Sequence, residues 1–186
     1  MRVYIFNKIW PTFIGGPGAL IQTQQICKAK FELGFLIDAS GSTYSHFKDV
    51  LQLVISIVDN FGLSREGTHV GVVIFSNTAR VVFDFGQYYD SESLKRALDA
   101  VEAPSGGTRL DIALQLTYRD LFSKKGRLRD NVPKLLFVMT DGVHESPYGI
   151  ELAVKPLQAL GVRVCFSSVL FIHQLIPNTL VPFCTN

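Results

Sequence analysis

The chain has 186 residues, 47% of them hydrophobic, and a formal net charge of +2. That length carries one domain with a substantial core. The near-neutral balance gives no reason to expect a nucleic-acid partner, and no apolar run reaches the roughly 20 residues of a membrane span.

Residues 1–30 show no clear periodicity and are expected to be a poorly packed leader. Lys8, Pro11 and the Gly15-Gly16-Pro17-Gly18 cluster interrupt any apolar stretch of a signal peptide. Phe31 to Ile37 reads as a buried strand that ends in Asp38. From Ser45 to Phe61, the residues Phe47, Val50, Leu51, Val54, Val58 and Phe61 follow a helical period, with Ile55 and Ile57 widening the apolar face. Asn60-Phe61-Gly62 ends that helix. Val70 to Phe75 is almost continuously apolar, as in a strand covered on both faces. Ala79 to Phe85 forms another strand, and the short link Ser76-Asn77-Thr78 favours an antiparallel edge pair.

Ser91 to Val101 reads as a helix with Ser91 as its N-cap. A further helix runs from Thr108 to about Ser123, with Leu110, Ala113, Leu114, Thr117 and Leu121 on its periodic face. The basic stretch Lys124-Lys125-Gly126-Arg127-Leu128-Arg129 is a solvated loop; its functional alternative is weak affinity for acidic surfaces. Leu135 to Thr140 is a buried strand and Ile150 to Leu160 a helix, with Pro156 a point of kinking and Gly161 its stop. Val162 to Ser168 is the next strand, and it contains Cys165, a buried free thiol; Val169 to Ile172 could supply one further short strand. Strands alternating with helices give an α/β domain with a mainly parallel sheet.

Three loops stand out in this order, the first and third after apolar strands and the second before a helix. Asp38-Ala39-Ser40-Gly41-Ser42 puts one carboxylate and two hydroxyls on one tight loop. Such oxygen donors suit a Mg²⁺-type ion, although the loop also fits an ordinary Ser/Asp turn. Ser105-Gly106-Gly107-Thr108 lets the backbone turn sharply and places the Thr108 hydroxyl where it can cap a helix or coordinate. Thr140-Asp141-Gly142 is a second strand end bearing a carboxylate. In open α/β sheets ligands bind beyond the carboxyl ends of the strands.

This ordered set, Asp38-x-Ser40-x-Ser42, then Thr108 after a glycine pair, then Thr140-Asp141-Gly142, resembles the von Willebrand factor type A domain family and its metal-ion-dependent adhesion site. The resemblance covers residues 31–168. It implies a doubly wound, Rossmann-like fold with sheet order 3-2-1-4-5 and one antiparallel edge strand. It implies a Mg²⁺ site, open also to Mn²⁺ or Ca²⁺, held by Asp38, Ser40, Ser42, Thr108 and Asp141. An acidic side chain of a protein partner, collagen or another matrix protein, would complete the ion's shell. Thr43, Tyr44, Arg109, His144 and Glu145 are the candidate rim. Secreted members often join flanking cysteines, which implies a Cys27–Cys184 bridge and an extracellular location.

The chain departs from the family pattern in residues 169–186. Pro177 and Pro182 interrupt that segment and it shows no helical period, so a truncated or misjoined gene product is one expectation. Two other readings stay open: a metal-independent structural or assembly module, and an intracellular scaffold of the same fold. An enzyme is not expected. The glycine-rich stretches lack the Lys and spacing of a phosphate-binding loop, Asp38 lacks a second aspartate two residues on, and no Gly-x-Ser-x-Gly surrounds Ser40 or Ser42.

Overall fold

The structure, a computed structural model, describes residues 4–5, 30–124, 128–141 and 147–168. Six strands form one sheet: β1 (Tyr4–Ile5), β2 (Glu32–Asp38), β3 (His69–Phe75), β4 (Ala79–Phe83), β5 (Lys134–Thr140) and β6 (Val162–Ser168). Their spatial order is β1-β6-β5-β2-β3-β4. Counted from the first central strand, the last five run 3-2-1-4-5. Only the β3–β4 pair is antiparallel. β4 stops at Phe83, so Phe85, expected inside the strand, lies in the following turn and packs on the core from there.

Four helices flank the sheet: α1 (Phe47–Phe61), α2 (Ser91–Asp99), α3 (Leu110–Leu116) and α4 (Pro147–Ala159). The central strands are buried on both faces, which is why they read as near-continuous apolar runs. Alternate side chains of β2, β3 and β5 point to opposite faces. Leu33, Phe35 and Ile37 join α1 and α2 in one core cluster, and Leu36, Val73 and Leu136 join α3 and α4 in the other.

Several local expectations are corrected. The N-cap of α2 is Asp90, whose extended backbone (φ −142°, ψ 150°) lets its carboxylate accept the Ser93 N–H; Ser91 instead donates its hydroxyl to Asp59. α4 begins three residues earlier than the apolar period, at Pro147, where a missing N–H costs nothing in the first turn. The helix after Thr108 is not uniform. It is α-helical to Leu116 and then widens into a π-helical turn over Thr117–Phe122. That turn brings the consecutive residues Leu121 and Phe122 both onto the sheet. They lie against Gly34 and Gly71, which are register partners on β2 and β3. A Cβ on Gly34 would come within 2.7 Å of Phe122 Cζ, and one on Gly71 within 2.7 Å of Leu121 Cδ1. The two glycines therefore form a trough for the π turn.

The leader is not wholly without structure: Tyr4–Ile5 pairs in parallel with β6, in register with Cys165 and Phe166. Pairing covers a strand edge that would otherwise expose its N–H and C=O groups. Residues 6–29 and 169–186, and with them the expected Cys27–Cys184 bridge, lie outside the described residues. Cys165 is a buried free thiol, and burial raises its pKa.

Candidate functional site

The carboxyl ends of β2 and β5 bring the first and third motif loops together. Asp38 ends β2 with 0% of its surface exposed. Its Oδ1 accepts the Ser40 backbone N–H at 2.9 Å, and its Oδ2 accepts the Thr140 hydroxyl of β5 at 2.7 Å. The Ser40 and Ser42 hydroxyls lie 3.1 Å apart. Ser40 is buried, whereas Ser42 faces solvent. Asp141 directly follows β5, and its Oδ1 is buried with no hydrogen-bond partner among the described residues.

The glycine loop docks on this pair of strand ends through its backbone. Gly41 N–H donates to Gly106 O at 2.9 Å. Arg109 N–H donates to Ser76 O at 2.8 Å, and Ala39 N–H donates to Phe75 O at 2.7 Å, so the β3–β4 turn supports both loops. The turn is tight: Ser105 (φ 58°) and Gly106 (φ 119°) are both left-handed. A non-glycine residue held there stores strain of the kind that collects at functional sites. Thr108 is half-buried. It is not the cap of α3, because Arg109 occupies that position and no side chain makes a capping bond.

Of the expected rim, Tyr44 stands out with 63% of its surface exposed beside Ser42. Arg109 is exposed but engaged, with its guanidinium making a two-pronged contact to Asp111 at 2.8 and 2.9 Å. Thr43 is a correction. It is 1% exposed, and its hydroxyl donates to the Asp38 and Ser40 carbonyls within the loop, both at 3.1 Å, so it braces the loop and is not on the rim. His144 and Glu145 lie outside the described residues.

Three residues named in the sequence without a role in the site support it. Thr140 is the hydroxyl donor to Asp38, Ser76 anchors the start of α3, and Asn77 accepts the Gly107 N–H at 2.9 Å. A Thr immediately before a strand-end Asp is a usable signal. Nothing local marks Asn77, because its partner lies 30 residues away.

No cation of the chain pairs with Asp38 or Asp141 among the described residues, and no three His, Cys, Asp or Glu side chains there gather around a common point. Any ion held here would depend on hydroxyls. The donor set of Ser40, Ser42 and Thr108 hydroxyls with two carboxylates is all oxygen, and the orphaned Asp141 oxygen is the kind of atom that needs a cation or a donor. The residues present therefore fit a hard divalent ion.

A doubly wound α/β domain with polar loops gathered at the carboxyl ends of its strands is a ligand-binding architecture. The chain belongs to the von Willebrand factor type A domain family, whose model matches residues 32–174. The transmembrane cell adhesion receptor mua-3 of Caenorhabditis elegans is 35% identical over 132 residues, covering 68% of this chain and 4% of that protein. Matrilin-3 of Homo sapiens is 31% identical over 144 residues, covering 75% of this chain and 29% of that protein. The chain thus spans only a small part of the length of these relatives. The solved structure of proximal thread matrix protein 1 from the mussel byssus, with a zinc-occupied MIDAS motif, aligns with a TM-score of 0.71 at 21% identity, covering 81% of this chain and 47% of that one. At that identity the likeness speaks for the fold.

Proposed function

We propose that this domain is a divalent-cation-dependent protein-binding module of the adhesion type. The observation that carries the reading is a buried carboxylate, Asp38, with no cation beside it among the described residues, next to a second carboxylate whose buried oxygen has no partner among them. Buried charges are normally paired or bind metals. Ser40, Ser42 and Thr108 would hold a Mg²⁺ or Mn²⁺ ion through hydroxyls, with Asp38 and Asp141 supplying charge directly or through water. The bound ion would supply a Lewis-acidic coordination position for an external carboxylate. Asp38 spends both oxygens on neutral donors, which fixes the loop that carries the two serines. The exposed Ser42 and Tyr44 leave the approach open.

The partner is then a protein that presents an Asp or Glu side chain. The names of the relatives, a cell adhesion receptor and a thread matrix protein among the structures, support an extracellular matrix partner and an extracellular location. Among the described residues no helix is long and apolar enough to cross a membrane. The matrix and adhesion names of the relatives support a binding role for the five proposed site residues.

The test is thermal unfolding in Mg²⁺ and in EDTA, with Ser42→Ala as the control. A ligand that binds only the folded state raises the midpoint by mass action. The expected result is a Mg²⁺-dependent rise that Ser42→Ala removes while leaving the EDTA midpoint unchanged, because Ser42 is exposed. A wild-type midpoint that ignores Mg²⁺ and Mn²⁺ would make the domain a metal-independent assembly module.

A further inference from the structure

We propose that Asn77, on the β3–β4 turn, is a positioning residue for the cation site: its amide holds the Gly106-Gly107 segment and so sets where Thr108 sits. The inference rests on the metal-dependent reading above. Thr108 is the candidate ligand that comes from neither strand end. Its loop is tied down on one side by the Gly41 N–H to Gly106 O bond and at its end by the Arg109 N–H to Ser76 O bond. Between those two backbone ties lies Gly107, and its N–H donates to Asn77 Oδ1 at 2.9 Å. Asn77 is therefore the side chain that grips the residue directly before Thr108.

The glycine pair is shaped around this amide. A Cβ on Gly106 would meet Asn77 Nδ2 at 2.8 Å, and one on Gly107 would meet Asn77 Oδ1 at 2.6 Å. For Gly107 every atom within 4 Å of that Cβ belongs to Asn77, and its φ is not left-handed. The absence of a side chain at Gly107 thus serves the Asn77 amide. Gly106, with φ 119°, needs glycine for its backbone as well. The contact is solvent-exposed, so its loss leaves the core untouched and acts on loop position.

The experiment is a four-way comparison of wild type, Asn77→Ala, Gly107→Ala and the double variant, with Asn77→Asp as the conservative rescue. Mg²⁺ affinity is read by calorimetry, and Gly107 amide exchange is read by NMR in EDTA. Loss of one such hydrogen bond corresponds to affinity about threefold to tenfold weaker in Asn77→Ala. Gly107 exchange should be faster in the same variant. Asn77→Asp keeps an acceptor oxygen at the same reach and should return both readouts to wild-type values or better. Gly107→Ala should weaken binding alone and cost nothing further in the Asn77→Ala background, because the atoms it would strike are gone. Wild-type Mg²⁺ binding that Asn77→Ala leaves unchanged overturns the proposal. A wild type that gives no Mg²⁺ heat overturns the metal reading and this one with it, and Gly107 exchange then reports separately whether the amide holds the loop.

Discussion

The two ends of β2 each bury a carboxylate with 0% of its residue surface exposed, and they treat it in opposite ways. At the start of the strand, Glu32 Oε1 accepts the Arg129 Nε–H at 2.7 Å. The same guanidinium donates to the Gly67 carbonyl at 2.7 Å and to the Phe31 carbonyl at 3.3 Å. Oε2 faces His69 Nδ1 at 3.7 Å, and the His69 Nε2–H donates to the Arg65 carbonyl at 3.0 Å. At the other end, six residues on, Asp38 has one backbone N–H and one hydroxyl, and no cation among the described residues. The first end has a counter-charge from the chain's own residues, the Arg129 guanidinium, although Glu32 Oε2 and His69 Nδ1 make no hydrogen bond among the described residues. Among the described residues the second has no positive charge at the end of the sheet where ligands of this architecture bind. The contrast teaches that burial of a carboxylate is not itself the functional signal; the missing counter-charge is.

The largest expected effect breaks the paired end. Arg129→Met leaves Glu32 buried without its cation, and removing one partner of a buried pair costs about 3–5 kcal/mol. Urea unfolding should show that loss, and the Mg²⁺-linked midpoint shift should survive it. Because Arg129 is 27% exposed, water softens the converse change. Glu32→Gln should therefore destabilise by less than Arg129→Met, and the double variant should recover part of the loss. Equal stability of Arg129→Met and wild type would remove the contrast between the two ends.

Next in size is the open end. At a Mg²⁺ concentration about a hundred times the dissociation constant, the folded state should gain about 2.7 kcal/mol. Asp38→Asn should abolish most of that gain. In EDTA the same variant should be as stable as wild type or more so, because an amide oxygen can still accept from Ser40 N–H and the amide NH₂ can donate to the Thr140 hydroxyl. The same isosteric neutralisation thus has opposite signs at the two ends: Glu32→Gln destabilises and Asp38→Asn does not. Alanine is a poorer probe at Asp38. It would strand the Ser40 N–H in a buried site, at about 1–3 kcal/mol.

The sequence made the strands legible because burial on both faces writes itself as unbroken apolar runs in β2, β3 and β5. The proposed site rests on two strand-end loops that carry carboxylates and hydroxyls and on a third loop, between α2 and α3, that carries Thr108. Some of the failures depend on a partner distant in the chain, and others on the local path of the backbone. Glu32 sits inside an apolar run, and Arg129, 97 residues away, is what makes its burial tolerable. Nothing local in the sequence ties Gly34 and Gly71 to Phe122 and Leu121, which lie over them. Thr43 looks like one more exposed loop hydroxyl, and only the path of the loop turns it inward. The π turn after Leu116 has no periodic signature, because the apolar residues that follow serve either a helix or its widened form.

The smallest predicted effect is at Asp90, which serves as a solvent-exposed control for Asp38. Its donors are of the same two kinds: Oδ1 accepts the Ser93 N–H at 2.8 Å and Oδ2 accepts the Ser93 hydroxyl at 2.7 Å. The difference is burial, for Asp90 caps α2 in full contact with water. There the hydroxyl and then the N–H of Ser93 hold its pKa below the ordinary value of 3.8. A depressed folded pKa means the carboxylate contributes stability above the unfolded value, and that contribution fades as pH falls through the lower folded value. The midpoint difference between wild type and Asp90→Ala should therefore be constant from neutral pH down to about 5 and shrink below about 4. Mg²⁺ should not alter it at any pH. A Mg²⁺-dependent difference at Asp90 would mean that neutral donors around any carboxylate suffice to draw the ion, and that the burial of Asp38 is not what sets the carboxyl end of β2 apart.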